Sequence, residues 1–110
     1  MVRKSSPIER GRPSYNLAEF QKAMSEGNCY ISGSARQGIM ALEFDSRDVV
    51  ACVAGLAKSN FEKSTPARDK GNWRDVYATV HLGVRVYIKI TRSTDGRFVL
   101  ESFKRNTNED

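Results

Sequence analysis

The alternation Val84-Arg85-Val86-Tyr87-Ile88-Lys89-Ile90-Thr91 is the cleanest pattern in the chain, and it gathers chemistry on one side of a strand. Four aliphatic residues fall on one face, and Arg85, Tyr87, Lys89 and Thr91 fall on the other. A tyrosine with cations on either side suits a phosphate backbone and a stacked base. The same pattern taken alone is more commonly just a solvated, charged sheet face.

Most catalytic templates fail on this sequence. Gly33–Gly38 has the glycine spacing of a phosphate loop, but Ile39-Met40 stands where Lys-Ser/Thr is required. The acids Glu62, Asp69, Asp75, Asp95 and Glu101 are scattered, which predicts no carboxylate cluster for a metal pair. One histidine excludes a two-imidazole acid/base pair, and no Ser-His-Asp arrangement is suggested. Cys29 and Cys52 cannot build a disulfide scaffold, and with His81 they fall short of a structural zinc site. Cys52 reads as core, His81 as structural, and Cys29 is given no role. Neither a metal nor a cofactor is expected.

Lysine, arginine and tyrosine therefore remain as the abundant reactive groups, and they define a specific chemistry. An RNA 2′-hydroxyl attacks its own neighbouring phosphate without a metal under three conditions. One group must take the proton, cations must hold the charge on the phosphoryl oxygens, and the leaving 5′-oxygen must be protonated. Charge supports an anionic partner. Eighteen Lys and Arg against thirteen Asp and Glu give +5, and ten of the eighteen lie between Lys63 and Arg105. Charge alone does not choose among RNA, DNA, an acidic protein and a membrane surface.

The elements that must position these groups are legible. At 110 residues and 39% hydrophobic content, one domain with a real core is expected. Residues 1–14 read as a flexible basic arm. A helix is predicted over Leu17–Glu26, capped by Asn16 and stopped by Gly27, followed by a short strand within Asn28–Gly33 and a helix from Ser34 to Leu42. Asp45 and Asp48 open a third helix whose Val49, Cys52, Val53 and Leu56 form an apolar stripe. The period then changes to two: Phe61–Thr65, a basic loop Ala67–Asn72, Trp73–Leu82, Val84–Thr91, a turn at Ser93–Gly96 and a strand Arg97–Lys104. Trp73 reads as a strand anchor. Helices followed by antiparallel strands predict an α+β fold, two or three helices on a sheet of four to six strands. Each face of the last strand is mixed, so its pattern does not say whether Lys104 shares a side with Tyr87; a bulge would reconcile them. The longest apolar runs are too short to cross a bilayer, and Met1–Arg12 lacks a signal peptide's apolar centre, so a cytoplasmic protein is expected.

Four segments in order carry a family resemblance: Asn60-Phe61-Glu62-Lys63-Ser64, Trp73-Arg74-Asp75-Val76-Tyr77, Val86-Tyr87-Ile88-Lys89-Ile90-Thr91 and Ser102-Phe103-Lys104. With the first helix and Leu42–Ser59 they resemble the motility quorum-sensing regulator (MqsR) family of toxins, over roughly residues 15–104. The resemblance implies a RelE-like fold over 15–110 and a metal-independent messenger-RNA endoribonuclease cutting short GC-containing sites. It also implies inhibition by a cognate antitoxin with zinc-binding and helix-turn-helix parts, through which alone DNA is met. Family active-site positions fall on Lys63, Arg74, Tyr87 and Lys104. Arg74 departs from the glutamine of the best-known member.

In this reading Lys63 is the leading candidate for general base, Arg74 and Lys104 hold the scissile phosphate, and Tyr87 positions a nucleotide or assists the leaving oxygen. Arg68, Lys70, Lys89 and Arg92 are expected to form a general RNA-binding field. The rival is a non-catalytic nucleic-acid-binding module using the same basic and aromatic face. A third possibility is a subunit that docks an acidic protein.

Overall fold

Each helix begins where a short polar side chain catches the free N–H groups of the first turn. Asn16 accepts from the Glu19 N–H at 2.9 Å to open α1 (Leu17–Ser25). Ser32 accepts from Ala35 at 3.0 Å to open α2 (Gly33–Ala41), which starts one residue before the predicted Ser34. At α3 (Ser46–Ala54) the capping is reciprocal: Asp48 N–H donates to Asp45 and Asp45 N–H to Asp48, both at 2.9 Å. Gly27 ends the first of these turns with φ +71°, a left-handed conformation that glycine adopts at least cost.

The structure is a computed structural model that describes residues 9–67 and 72–107. Between α1 and α2 runs a short strand, β1 (Cys29–Ile31), and a 3-10 turn (Lys58–Asn60) leads to β2 (Phe61–Pro66), β3 (Trp73–His81), β4 (Val84–Arg92) and β5 (Phe98–Arg105). The fold is α+β, as the sequence predicts. The sheet order is β1-β5-β4-β3-β2. Strands β2 to β5 pair antiparallel, but β1 runs parallel to β5, with Tyr30 opposite Val99. The predicted antiparallel strands form the body of the sheet, and β1 adds a parallel edge strand to it. The direction of a three-residue strand is set by the partner it meets, here the last in the chain, and no local pattern encodes that.

One sheet face and the helices share a single core. Phe20, Val53, Ile88, Ile90, Leu100 and Phe103 are fully buried. Cys52 joins them, and burial pushes its thiol up to about 11, so it is a small apolar residue at neutral pH. Gly38 brings α2 close to β5: a Cβ there would collide with the Phe103 carbonyl oxygen. The glycines that resemble a phosphate loop thus include one required for helix–strand contact.

Two polar residues are buried in this sheet, Ser64 and Asp75. The Asp75 carboxylate accepts the Ser14 N–H at 3.0 Å and the Tyr15 N–H at 2.9 Å, and Ser14 Oγ meets Ser64 Oγ at 2.7 Å. Just upstream, Arg10 exchanges backbone hydrogen bonds with Ser64 at 2.7 and 3.0 Å, forming an antiparallel bridge on the open edge of β2. Its guanidinium stacks 3.6 Å from the centre of the Trp73 ring. The flexible arm expected over residues 1–14 is therefore corrected for residues 9–14, which the sheet holds; residues 1–8 lie outside the described residues. Trp73 is a strand anchor with one face taken by Arg10.

Asp75→Ala leaves two inward N–H groups without their acceptor. It is expected to lower the unfolding free energy by about 2–4 kcal/mol, measured by urea denaturation; a loss below about 1 kcal/mol would mean that water replaces the carboxylate without penalty. Gly38→Ala is expected to cost about 1–3 kcal/mol by overpacking. An unchanged melting midpoint in calorimetry would show that α2 can lift off β5 freely.

Candidate active site

The face of the sheet turned away from the core is where the candidate residues converge. Pleat alternation on β4 buries Val86, Ile88 and Ile90 and turns Tyr87 and Lys89 outward. On β3, Asp75 and Tyr77 point inward, so Arg74 points outward. On β2, Ser64 is buried and Lys63 is on the outer side.

Strand β5 cannot follow simple alternation, because Phe98, Leu100 and Phe103 are all buried. The register resolves this: Ile90 pairs with Leu100, but Lys89 pairs with Ser102, so Glu101 is an extra residue in a bulge. Past the bulge the phase is reversed and Lys104 stands directly opposite Tyr87. The ambiguity in the sequence pattern is settled in favour of a shared side.

The outer face therefore holds Lys63, Val76, Lys89 and Ser102 in one ladder row, with Ala78, Tyr87 and Lys104 in another. The ammonium groups of Lys104 and Lys89 lie 5.3 and 5.9 Å from the centre of the Tyr87 ring. Arg74 reaches from β3 across β4 to Glu101 on β5, with Nε 2.5 Å from Oε1. Lys63 Nζ meets Glu9 Oε2 at 3.4 Å. Burial pushes the Tyr87 phenol up; the Lys63 charge acts to lower it and the Glu101 charge to raise it. All four candidate residues thus occupy one face, and the charges of Lys63 and Glu101 both reach the Tyr87 hydroxyl.

Of the predicted RNA-binding field, Lys89 belongs to this face. Arg92 does not join it. It falls on the core side of β4, over the Phe98 ring at 4.1 Å, and donates to the Gly96 carbonyl at 2.6 Å and to Glu19 at 3.2 Å. Two residues of opposite parity on one strand do not share a face, so Arg92 lies apart from Lys89 and the four candidate catalytic residues. Arg68 and Lys70 lie outside the described residues.

The other reactive groups stand apart. His81 packs edge-on against Phe44 with ring centres 5.8 Å apart, a structural role. The Cys29 thiol, on β1, is raised by burial. Among the described residues, no group of three or more His, Cys, Asp or Glu is placed to hold a metal ion.

Glu101 is the residue on this face that sequence reasoning missed. In the sequence it is one of several scattered acids, and strict alternation puts it and Lys104 on different faces of the strand. The available signal was spacing: apolar residues two apart at Phe98 and Leu100, then three apart at Phe103, mark an inserted residue.

A raised phenol stays protonated through the neutral range, so Tyr87 is a hydrogen-bond donor there. Comparing ultraviolet titrations of the protein and of Tyr87→Phe is expected to assign to Tyr87 an ionisation above the ordinary value of 10. An ionisation below it would mean that the surrounding ammonium groups outweigh burial.

Among the described residues no helix is long and apolar enough to cross a membrane. A search of curated proteins returns no match. A family model does match residues 12–105, the span from the docked end of the arm to the last residue of β5, and its description is "Motility quorum-sensing regulator, toxin of MqsA". With that match covering the sheet, the helices and every candidate residue, the chain belongs to the MqsR toxin family, whose members are toxins partnered by an antitoxin.

Proposed function

We propose that this toxin is a metal-independent endoribonuclease that cuts messenger RNA through attack of a ribose 2′-hydroxyl on the adjacent phosphate. The observation that carries the reading is that Lys63, Arg74, Tyr87 and Lys104 share the sheet face that, among the described residues, no helix covers, with Tyr87 directly opposite Lys104.

In the step, a bond forms between the 2′-oxygen and phosphorus and the bond from phosphorus to the 5′-oxygen breaks. The products are a 2′,3′-cyclic phosphate and a 5′-hydroxyl. Lys63 is the leading candidate to take the 2′ proton, which requires that its amine first release Glu9 and its own proton. Arg74 offers a planar fork to the non-bridging oxygens, and Lys104 adds a point charge beside Tyr87. These cations act where negative charge grows, the larger source of rate in such a site. Tyr87, a neutral phenol held up by burial, protonates the leaving oxygen or fixes a nucleotide against its ring. Lys89 adds to the field that draws the RNA backbone.

The family carries further expectations to this chain: short GC-containing target sites, action on translated messages in the cytoplasm, and restraint by a zinc-binding, helix-turn-helix antitoxin through which DNA is contacted.

Purified protein incubated with messenger RNA in EDTA is expected to produce fragments with cyclic-phosphate and 5′-hydroxyl ends. Lys63→Ala is expected to lower the cleavage rate by about 10²-fold or more while RNA still binds. RNA that is bound in a salt-dependent way but left intact by the unsubstituted, folded protein would replace the enzyme with a binding module.

A further inference from the structure

Glu101 stands in the middle of a cationic face that is read as holding phosphate, where a carboxylate has no obvious place. Three features define its position. The bulge gives it no ladder partner on β4, so its direction is set by side-chain contacts. Its Oε1 takes the Nε of Arg74 at 2.5 Å, in a pair that spans the intervening strand. Both side chains are about three-quarters covered, at 26% and 28% exposure, so the pair is screened less than a solvent-facing one.

We propose that Glu101 is a positioning residue that aims the Arg74 guanidinium at the scissile phosphate, an inference that rests on the ribonuclease reading above. A guanidinium is a rigid planar fork. A carboxylate fastened at Nε fixes the plane of that fork and leaves its terminal amino groups as the part that a phosphate takes in bidentate fashion. Without Glu101, a long side chain anchored on β3 has no fixed direction over β4, and a small displacement of a phosphate clamp costs much of its catalytic value. The carboxylate also has a cost: its negative charge lies near the place where RNA phosphate must sit, so it weakens ground-state binding while it improves alignment. The Tyr87 hydroxyl feels the same charge, which adds to the effect of burial in keeping it protonated.

This division of effects separates Glu101 from an ordinary structural residue. Cleavage of a short RNA in EDTA is compared for the parent, Glu101→Ala, Glu101→Gln, Arg74→Ala and the double alanine variant, with folding checked by circular dichroism. Glu101→Ala is expected to lower kcat by about tenfold or more with KM unchanged or lower. Glu101→Gln retains an acceptor for Nε and is expected to recover most of that loss. Arg74→Ala strands the carboxylate beside the phosphate, so the double variant is expected to cleave faster than Arg74→Ala alone, with a coupling of roughly fivefold or more between the two sites. Glu101→Ala with parental kcat and KM, or strictly additive losses in the double variant, overturns the proposal. A Glu101→Gln loss as deep as that of Glu101→Ala, with the acid limb of the pH profile gone, also overturns it, because the carboxylate is then itself the proton acceptor. A parent protein that leaves RNA intact defeats the ribonuclease reading itself; a parent that cuts beside an unimpaired Glu101→Ala defeats only this inference.

Discussion

The structure depends on how β5 satisfies two incompatible requirements. Three large residues, Phe98, Leu100 and Phe103, must all enter the core, and an uninterrupted strand can bury residues of only one parity. The bulge at Glu101 absorbs the odd step. Burying Phe103 is worth roughly 1.5–3 kcal/mol, which is ample to offset one disrupted rung of the ladder. The consequence on the other face is that Lys104 lies opposite Tyr87 and Glu101 lies within reach of Arg74. Core packing and the candidate site are set by the same inserted residue.

The opposite edge uses a different device. Strand β2 is the far edge of the sheet, and unpaired edges invite association. Arg10 pairs with Ser64 along it, and the buried Asp75 fixes the chain just downstream by accepting from Ser14 and Tyr15. A buried carboxylate held by backbone donors is satisfied without a cation, which lets an acid sit on the core side while the cations gather on the outer side. Because Glu9 precedes Arg10, the same docking carries a carboxylate to Lys63.

Much of this was legible in the sequence because local signals are strong where caps and periods are strong. Asn16, Asp45 and Asp48 announced their helices, and Val84–Thr91 announced its faces. The four candidate residues follow from segments whose order and spacing resemble a family, more than from pattern alone: alternation singles out Tyr87 and Lys89 but is silent on Lys63 and Lys104. What was not legible is non-local. The parallel direction of β1, the docking of Glu9 and Arg10, and the pairing of Arg74 with Glu101 each join residues far apart in the chain. The side of β4 on which Arg92 falls follows from parity alone: it is in phase with Val86, Ile88 and Ile90, whatever its charge.

A face that collects Lys63, Arg74, Lys89 and Lys104 within a few strand spacings carries its own electrostatic strain. Lys63 and Lys89 share a row with only Val76 between them, which places their Cα atoms about 10 Å apart. Like charges at such separations repel appreciably where the surface is partly desolvated. In the free protein Glu9 and Glu101 relieve that repulsion, one from the arm and one from the bulge. The two are not equivalent. Glu9 is 56% exposed and meets Lys63 at 3.4 Å, a contact that an incoming phosphate can exchange at little cost. Glu101 is half as exposed and meets Arg74 at 2.5 Å, a pair less open to exchange with solvent or an anion. On the proposed ribonuclease reading, the arm's carboxylate is a counterion for RNA to displace, and the bulge's carboxylate is a fixed part of the frame that would hold the phosphate.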